Sequence, residues 1–226
     1  GLMERASAQC AADTDKIAAR DERASCRLME SLILAGVAMS LIGHSRPASG
    51  AEHHLSHFFE VEGIMKNQPY LLHGMDVAYS TAVSCEIRDK IKEIDPAKTE
   101  NRFDKETWEA NVEKVFGPAA QGVRELQEQL GYYLPETIQK HRERIRERWR
   151  EILATLAKVP SGPEYLSYLT RAGLPMSRFF STYDRQTIRD AIVYSKDLKN
   201  YYSTWRLLDE LGLLERFADG YMAAHA

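Results

Sequence analysis

The sequence has 226 residues, of which 44% are hydrophobic, and it carries a net charge of −3. This length and hydrophobic content are enough to bury the core of one or two domains. The chain has slightly more acidic than basic residues, so it lacks the excess of positive charge that is typical of a nucleic-acid-binding protein. Three widely spaced cysteines without a CxxC pattern argue for a reducing cytoplasm and against a disulfide framework or a thiolate zinc site.

Helical periodicity runs through the whole chain, and turn signals of the β-hairpin type are scarce. The sequence therefore predicts an all-α fold and a single domain over residues 1–226. A helix that begins at Ser49 carries the histidine-rich segment. The other predicted helices cover residues 2–19, 21–42, 74–93, 104–116, 119–130, 135–158, 164–172, 184–195, 203–211 and 213–224.

Two of these helices have unusual compositions. The apolar run Leu32–Val37 is predicted to be buried on all sides, and to be too short and too close to charges to cross a membrane. Residues 141–150 interleave arginine and glutamate, which is typical of a solvated or interface helix with self-paired charges. Neither pattern predicts a membrane or nucleic-acid partner.

Five of the seven histidines lie between His44 and His73. Ser49 and Glu52 have the spacing of a capping box, which predicts a helix start at Ser49. On that helix His53 and His57 are four residues apart, so both rings lie on one side and about 5.4 Å apart along the axis. His73 opens the next apolar run and is a natural third contributor to the same site.

Two neighbouring features bear on this histidine cluster. The loop from His44 to Ser49 offers Arg46, the hydroxyls of Ser45 and Ser49 and free helix N-terminal amides, which suit a phosphate or carboxylate. His54 points to another face of the helix and is interpreted as a packed or exposed bystander. A histidine pair at this spacing is by itself more often a surface feature, but the cap, the arginine-bearing loop and the third histidine favour a site.

The string HSRPASGAEHHLSHFFE at residues 44–60, followed by LLHG at residues 71–74, resembles the signature of sn-glycerol-1-phosphate dehydrogenases. That family belongs to a superfamily with dehydroquinate synthase, glycerol dehydrogenase and the iron-containing alcohol dehydrogenases. Similar family character continues upstream through IAARDE at residues 17–22 and downstream through DELGLL at residues 209–214. The resemblance therefore covers nearly the whole chain.

The resemblance implies a two-domain enzyme that reduces dihydroxyacetone phosphate to sn-glycerol 1-phosphate. An N-terminal α/β domain binds NAD(H) or NADP(H), and a helical C-terminal domain holds a divalent metal, with zinc or nickel favoured here. Carried over by motif, the metal ligands are His53 and His73, and His57 is the catalytic proton relay or a substrate contact. On chemical grounds Arg46, Ser45 and Ser49 are assigned to the phosphate end of a small phosphorylated triose.

The sequence also departs from the family pattern. The family's aspartate ligand has no counterpart before His53, and no glycine-rich nucleotide loop follows a predicted strand. The sequence is therefore interpreted as the C-terminal helical domain without its first helix and its nucleotide-binding domain. NAD(P)H binding is then expected only in the full-length enzyme, which is expected to be cytoplasmic. The sequence leaves open whether it forms a homo-oligomer.

Three alternatives stay open at the sequence level. Dehydroquinate synthase keeps a similar arrangement of histidines, although the HSRPASG loop fits the glycerol-phosphate branch better. Glycerol dehydrogenase would prefer an unphosphorylated substrate. A third interpretation is a stand-alone helical protein that serves as a binding or oligomerisation module.

Overall fold

The computed structural model describes residues 2–225, apart from the side chains of residues 2, 3 and 47; both ends of the predicted domain, residues 1 and 226, lie outside it. No strand occurs among the described residues, and the predicted all-α fold is confirmed. The α-helices are Leu2–Ala12 (α1), Thr14–Ala18 (α2), Glu22–Ile42 (α3), Ala51–Lys66 (α4), His73–Asp89 (α5), Lys105–Phe116 (α6), Ala120–Leu130 (α7), Pro135–Glu147 (α8), Trp149–Leu156 (α9), Gly162–Arg171 (α10), Met176–Thr182 (α11), Arg185–Tyr194 (α12), Thr204–Glu210 (α13) and Leu214–Ala224 (α14).

Helices α4 and α5 form the centre of the fold and pack along each other. Phe58 and Phe59 of α4 are each 1% exposed, and Phe59 stacks on Tyr183 with 4.1 Å between ring centroids. Phe179 of α11 meets the edge of Phe59, so the aromatic core joins α4 to the later helices. This packing holds one face of α4 against the core and leaves its opposite face for other contacts.

A buried charge network forms a second centre, beneath α13. The carboxylate of Asp197, with no exposed surface, accepts hydrogen bonds from Trp108 Nε1, Tyr133 and Arg206, and lies 3.1 Å from the Lys196 ammonium. Burial raises the pKa of Asp197, but the charges of Lys196 and Arg206 outweigh that effect and hold the pKa below its ordinary value. The network joins α6 and α13 to the segment between α7 and α8, and Asp209 is a second carboxylate beside both cations.

Two predicted helices are each divided in two, and one helix was not predicted. The helix predicted for residues 2–19 breaks at Asp13, whose carboxylate turns to accept from Arg27 Nε of α3 at 2.6 Å. The helix predicted for residues 135–158 breaks at Arg148, where the backbone leaves helical geometry at φ −105° and ψ 17°. Helix α11 was not predicted, because its seven residues have weak helical preference and depend on burial of Phe179.

The charged helix α8 pairs its charges differently from the prediction. Arg142 donates to the backbone carbonyls of Glu210 and Thr99, and Arg146 donates to that of Pro96. These arginines therefore bind the ends of other segments, and the prediction of self-paired faces is wrong for them. An arginine with several fixed donors suits this role, because unpaired carbonyl groups at helix ends need partners.

Helix α3 corrects the prediction of a helix buried on all sides. Its Leu32, Ile33 and Val37 are 57%, 60% and 45% exposed, since α3 packs mainly on α1, α2 and the turn at Arg46–Ala48. The helix has 21 residues, a mean hydropathy of 1.5 in its apolar window and none of that window buried, so it is long and apolar enough to cross a membrane. The prediction considered only the run Leu32–Val37, whereas the whole helix has this length; a single such helix near the start of a chain is weak evidence for a span.

The buried network predicts which ion pair controls stability. We expect Asp197→Ala to lower the free energy of unfolding by about 3–5 kcal/mol, because it removes the fully buried acceptor of Trp108 and Tyr133 and leaves Lys196 and Arg206 with Asp209 as their remaining carboxylate. Glu100→Ala, which breaks an exposed pair with Arg102, should leave the unfolding midpoint nearly unchanged. Urea unfolding followed by circular dichroism measures both, and equal midpoint shifts in the two variants would contradict this account.

Candidate metal and substrate site

The N-cap of α4 lies one residue later than the capping box predicts. It is Gly50, in an extended conformation, and Ser49 makes no capping hydrogen bond. Glu52 Oε1 accepts from the Gly50 amide at 2.7 Å, so only the carboxylate half of the predicted box forms. A capping box needs the serine at the N-cap and the acid at N3, whereas Glu52 is at N2 here. No N-cap side chain therefore binds the first-turn amides of α4, and the Glu52 carboxylate is the acceptor at this end of the helix.

The structure brings together the three histidines that the sequence singled out. The ring centroids of His53 and His73 are 5.4 Å apart, those of His57 and His73 5.3 Å, and those of His53 and His57 6.2 Å. Their side chains are 20%, 48% and 33% exposed in the order His53, His73, His57. The cluster is thus partly open to a ligand.

Each of these imidazoles uses Nδ1 to contact a carboxylate. His53 Nδ1 lies 2.9 Å from Glu52 Oε1, His57 Nδ1 lies 3.0 Å from Glu60 Oε2, and His73 Nδ1 lies 2.6 Å from Glu60 Oε1. With the proton on Nδ1, the Nε2 lone pair of each ring is left for a ligand. This is the carboxylate–histidine arrangement that orients metal ligands in proteins.

Glu60 was missed by the sequence analysis. It follows His57 by three residues and His53 by seven, so its spacing puts it on the same helix face, and that signal could have found it. Burial raises the pKa of Glu60, but the hydrogen bonds from His73 and His57 outweigh it and lower the pKa. Glu60 is therefore a carboxylate anion that joins α4 to the start of α5.

The donor set fits a divalent transition metal. Two imidazole rings that bind one ion tetrahedrally through nitrogens at roughly 2.0–2.1 Å have centres about 5 Å apart, close to the separations of His73 from the other two rings. Ligand atoms of His57, Glu60 and His73 also lie within 4.8 Å of one another, which gives an alternative set. Burial and the charge of Lys199 lower the pKa of His57, which favours its neutral form.

Tyr183 fixes the position where α5 begins. Its hydroxyl accepts from the Leu71 amide at 3.0 Å and lies 2.8 and 2.9 Å from the two carboxylate oxygens of Asp76. Because Leu71 precedes and Asp76 follows His73, these bonds hold the turn that carries the third histidine. Burial raises the pKa of Asp76 to about 7.

The predicted substrate-binding residues lie in the turn before α4. Arg46 and Ser45 are exposed and meet Tyr201, with the guanidinium 4.8 Å from the ring centroid and Ser45 Oγ 3.2 Å from the Tyr201 hydroxyl. Ser49 is half-buried. His54 is fully buried, 6.4 Å from the Tyr201 ring, and burial lowers its pKa to about 4, so it packs as a neutral ring.

Comparison with known proteins gives one consistent result. No protein-family model matches the chain, and no solved structure matches it. The glycerol-1-phosphate dehydrogenase (NAD(P)+) of Bacillus licheniformis is 27% identical over 213 residues, which are 94% of this chain and 41% of that protein. The protein of the same name from Bacillus subtilis is 38% identical over 94 residues, 42% of this chain and 24% of the relative. That from Geobacillus stearothermophilus is 37% identical over 113 residues, 48% of this chain and 28% of the relative.

These matches agree with one another. Each of the three relatives is a glycerol-1-phosphate dehydrogenase, and the chain is similar to part of each of them. The resemblance drawn from residues 44–60 and 71–74 is therefore confirmed. The chain spans about two fifths of the length of the B. licheniformis glycerol-1-phosphate dehydrogenase and matches its C-terminal part, in agreement with a helical C-terminal domain.

The raised pKa of Asp76 predicts a pH-dependent contribution to stability. Between its ordinary pKa of 3.8 and about 7, the folded chain holds a proton that the unfolded chain has released, so stability falls as pH rises. We expect Asp76→Asn to gain stability relative to the wild type across this window, by up to about 1.4 kcal/mol per pH unit. Urea unfolding of the metal-free chain at several pH values measures this difference.

A matched control is Asp104→Asn. The hydrogen bonds from Thr107 lower the pKa of Asp104, so its contribution changes with pH in the opposite direction. If the difference in the free energy of unfolding between wild type and Asp76→Asn does not change with pH, the pKa of Asp76 is not raised.

Proposed function

We propose that this chain is the metal- and substrate-binding domain of an oxidoreductase of the glycerol-1-phosphate dehydrogenase type. Its reaction is the reduction of dihydroxyacetone phosphate to glycerol 1-phosphate, with NADH or NADPH bound elsewhere in the full-length enzyme. The observation that carries the proposal is the cluster of His53, His57 and His73, whose Nδ1 atoms all contact carboxylates. Homology to glycerol-1-phosphate dehydrogenases supplies the reaction class.

In this proposal His53 and His73 are the protein's metal ligands. Glu52 and Glu60 orient the two rings and increase their basicity through the Nδ1 contacts. A divalent metal, zinc or nickel, supplies Lewis acidity toward the substrate carbonyl oxygen when bound, and NAD(P)H supplies the hydride. Two imidazoles leave further coordination positions for substrate and for another ligand.

His57 is proposed as the proton relay. Reduction of a carbonyl to an alcohol requires a proton at the carbonyl oxygen, and the reverse reaction removes it. The His57 ring is 33% exposed, lies beside the ring of His73, and is held at Nδ1 by Glu60. Its lowered pKa, caused by burial and by the Lys199 charge, suits a group that returns to the neutral form after each transfer.

Arg46, Ser45 and Ser49 are proposed to bind the phosphate end of the substrate. The uncapped first-turn amides of α4 add donors at the same place, since helix N-termini favour anions. This anion-binding character favours a phosphorylated triose over unphosphorylated glycerol. The proposed partner is therefore a small phosphorylated metabolite of the cytoplasm, and nucleic acid and membrane lipid are not part of the proposal.

Metal binding tests the ligand assignment directly. We expect zinc and nickel, titrated by calorimetry, to bind the wild-type chain and to lose binding in His53→Ala and His73→Ala. Glu60→Gln should weaken binding about 10- to 100-fold, because it removes the group that orients His73. His57→Ala should retain binding, and His44→Ala, an exposed histidine outside the cluster, is the matched control.

The same titrations distinguish the alternative ligand set. Loss of binding in His57→Ala together with full binding in His53→Ala would contradict the assignment and favour coordination by His57, Glu60 and His73. Elemental analysis of the purified proteins gives an independent measure of which metal is retained.

Hydride transfer by this chain alone provides a second test. We expect no turnover of dihydroxyacetone phosphate with NADH or NADPH, and no quenching or enhancement of NADH fluorescence, because residues 2–225 contain no strand from which a dinucleotide-binding fold could form. The glycerol-1-phosphate dehydrogenase of B. licheniformis serves as the positive control. Measurable turnover by the 226-residue chain would contradict the assignment of nucleotide binding to another domain.

A further inference from the structure

A phosphate monoester needs more positive charge than Arg46 provides. Such an ester carries roughly −1.5 to −2 charge at neutral pH. The turn before α4 contributes one permanent cation, Arg46, and two serine hydroxyls. The acids closest to the site, Glu52 and Glu60, are engaged by histidines. A complete phosphate site therefore requires a second cation from another part of the chain.

Tyr201 brings a distant segment into contact with this turn. Its hydroxyl lies 3.2 Å from Ser45 Oγ, and its ring lies beneath the Arg46 guanidinium at 4.8 Å. The two contacts restrict both side chains of an otherwise exposed turn. An arginine held over an aromatic face loses less freedom on binding an anion, because its plane is already fixed.

Lys199 lies two residues before Tyr201, in an extended stretch with φ −134° and ψ 157°. It is half-buried and forms no ion pair within residues 2–225. The 3-10 turn Ser195–Leu198 directly before Lys199 packs against α4, the helix that carries His53 and His57. A half-buried cation without a counter-ion favours the binding of an anion.

We propose that Lys199 and Tyr201 complete the phosphate subsite of this domain, with Tyr201 positioning Arg46 and Ser45 and Lys199 supplying the second positive charge. The inference rests on the proposed function and adds the basis of its specificity. Two cations match a phosphate dianion, whereas glycerol without phosphate gains nothing from them. Lys199 and Tyr201 therefore make the domain bind phosphorylated substrates in preference to unphosphorylated ones.

Phosphate binding by the full chain tests the role of Lys199. Inorganic phosphate and glycerol 1-phosphate are titrated by calorimetry into the metal-free and the zinc-loaded chain, with glycerol as the uncharged comparison. We expect Lys199→Ala to raise the Kd for both phosphates about tenfold, because a charge-assisted bond is lost. Lys199→Arg should restore most of the binding, and Lys114→Ala, an exposed lysine on α6, should change nothing.

The positioning role of Tyr201 has its own readout. Tyr201→Phe keeps the ring beneath Arg46 and loses only the Ser45 contact, whereas Tyr201→Leu loses both, so we expect a larger increase in Kd for leucine. Because Tyr201 acts through Arg46 and Ser45, the triple variant Ser45→Ala/Arg46→Ala/Tyr201→Leu should bind phosphate no more weakly than Ser45→Ala/Arg46→Ala. A further loss in the triple variant would show that Tyr201 does not act through these two residues and would overturn its assigned role.

Zinc titration of the same variants separates this inference from the proposed function. If the chain binds no zinc but binds phosphate in a way that depends on Lys199, the result would support the phosphate subsite and contradict the proposed metal site. Zinc binding at the histidines with equal phosphate affinity in wild type and Lys199→Ala would overturn the subsite alone. Absence of saturable phosphate binding by the wild-type chain would also overturn it.

Discussion

The orientation of α4, that is, which of its faces is turned toward the core, determines where the residues of the candidate site lie. Successive residues are 100° apart around a helix, so burial of Leu55, Phe58 and Phe59 on one side turns the opposite side outward. That outward side carries His53, His57 and Glu60 within a narrow arc. The same geometry explains His54, which lies about 100° from His53 and is drawn into the packed interior.

Tyr183 transmits this constraint to the second helix of the site. Its ring stacks on Phe59, and its hydroxyl contacts Leu71 and Asp76 on either side of His73. The aromatic contact therefore fixes the position of α4 relative to Tyr183, and the hydroxyl contacts fix the position at which α5 begins. The separation between the histidine rings then follows from core packing, which is the usual way in which a rigid scaffold supports a binding site.

Local spacing accounts for the part of this site that the sequence predicts. His53 and His57 share a helix face because of their four-residue spacing, and the helical class follows from periodicity along the chain. The contact of Ser45 with Tyr201 joins residues 156 positions apart, which no local pattern encodes. The exposure of α3 is a similar case, since an apolar composition does not specify which neighbours the helix has.

The segment that carries Lys199 and Tyr201 rests on rigid supports at both ends. Before it, Asp197 is held by the buried network, and the Gln127 side chain donates to its backbone carbonyl at 3.0 Å. After it, Trp205 Nε1 donates to the carbonyl of Ala51, in the first turn of α4, at 2.9 Å. Both halves of the proposed phosphate subsite are thus fixed to the helix that carries His53. Such preorganisation reduces the ordering cost of binding a small anion, because few side chains remain to be immobilised.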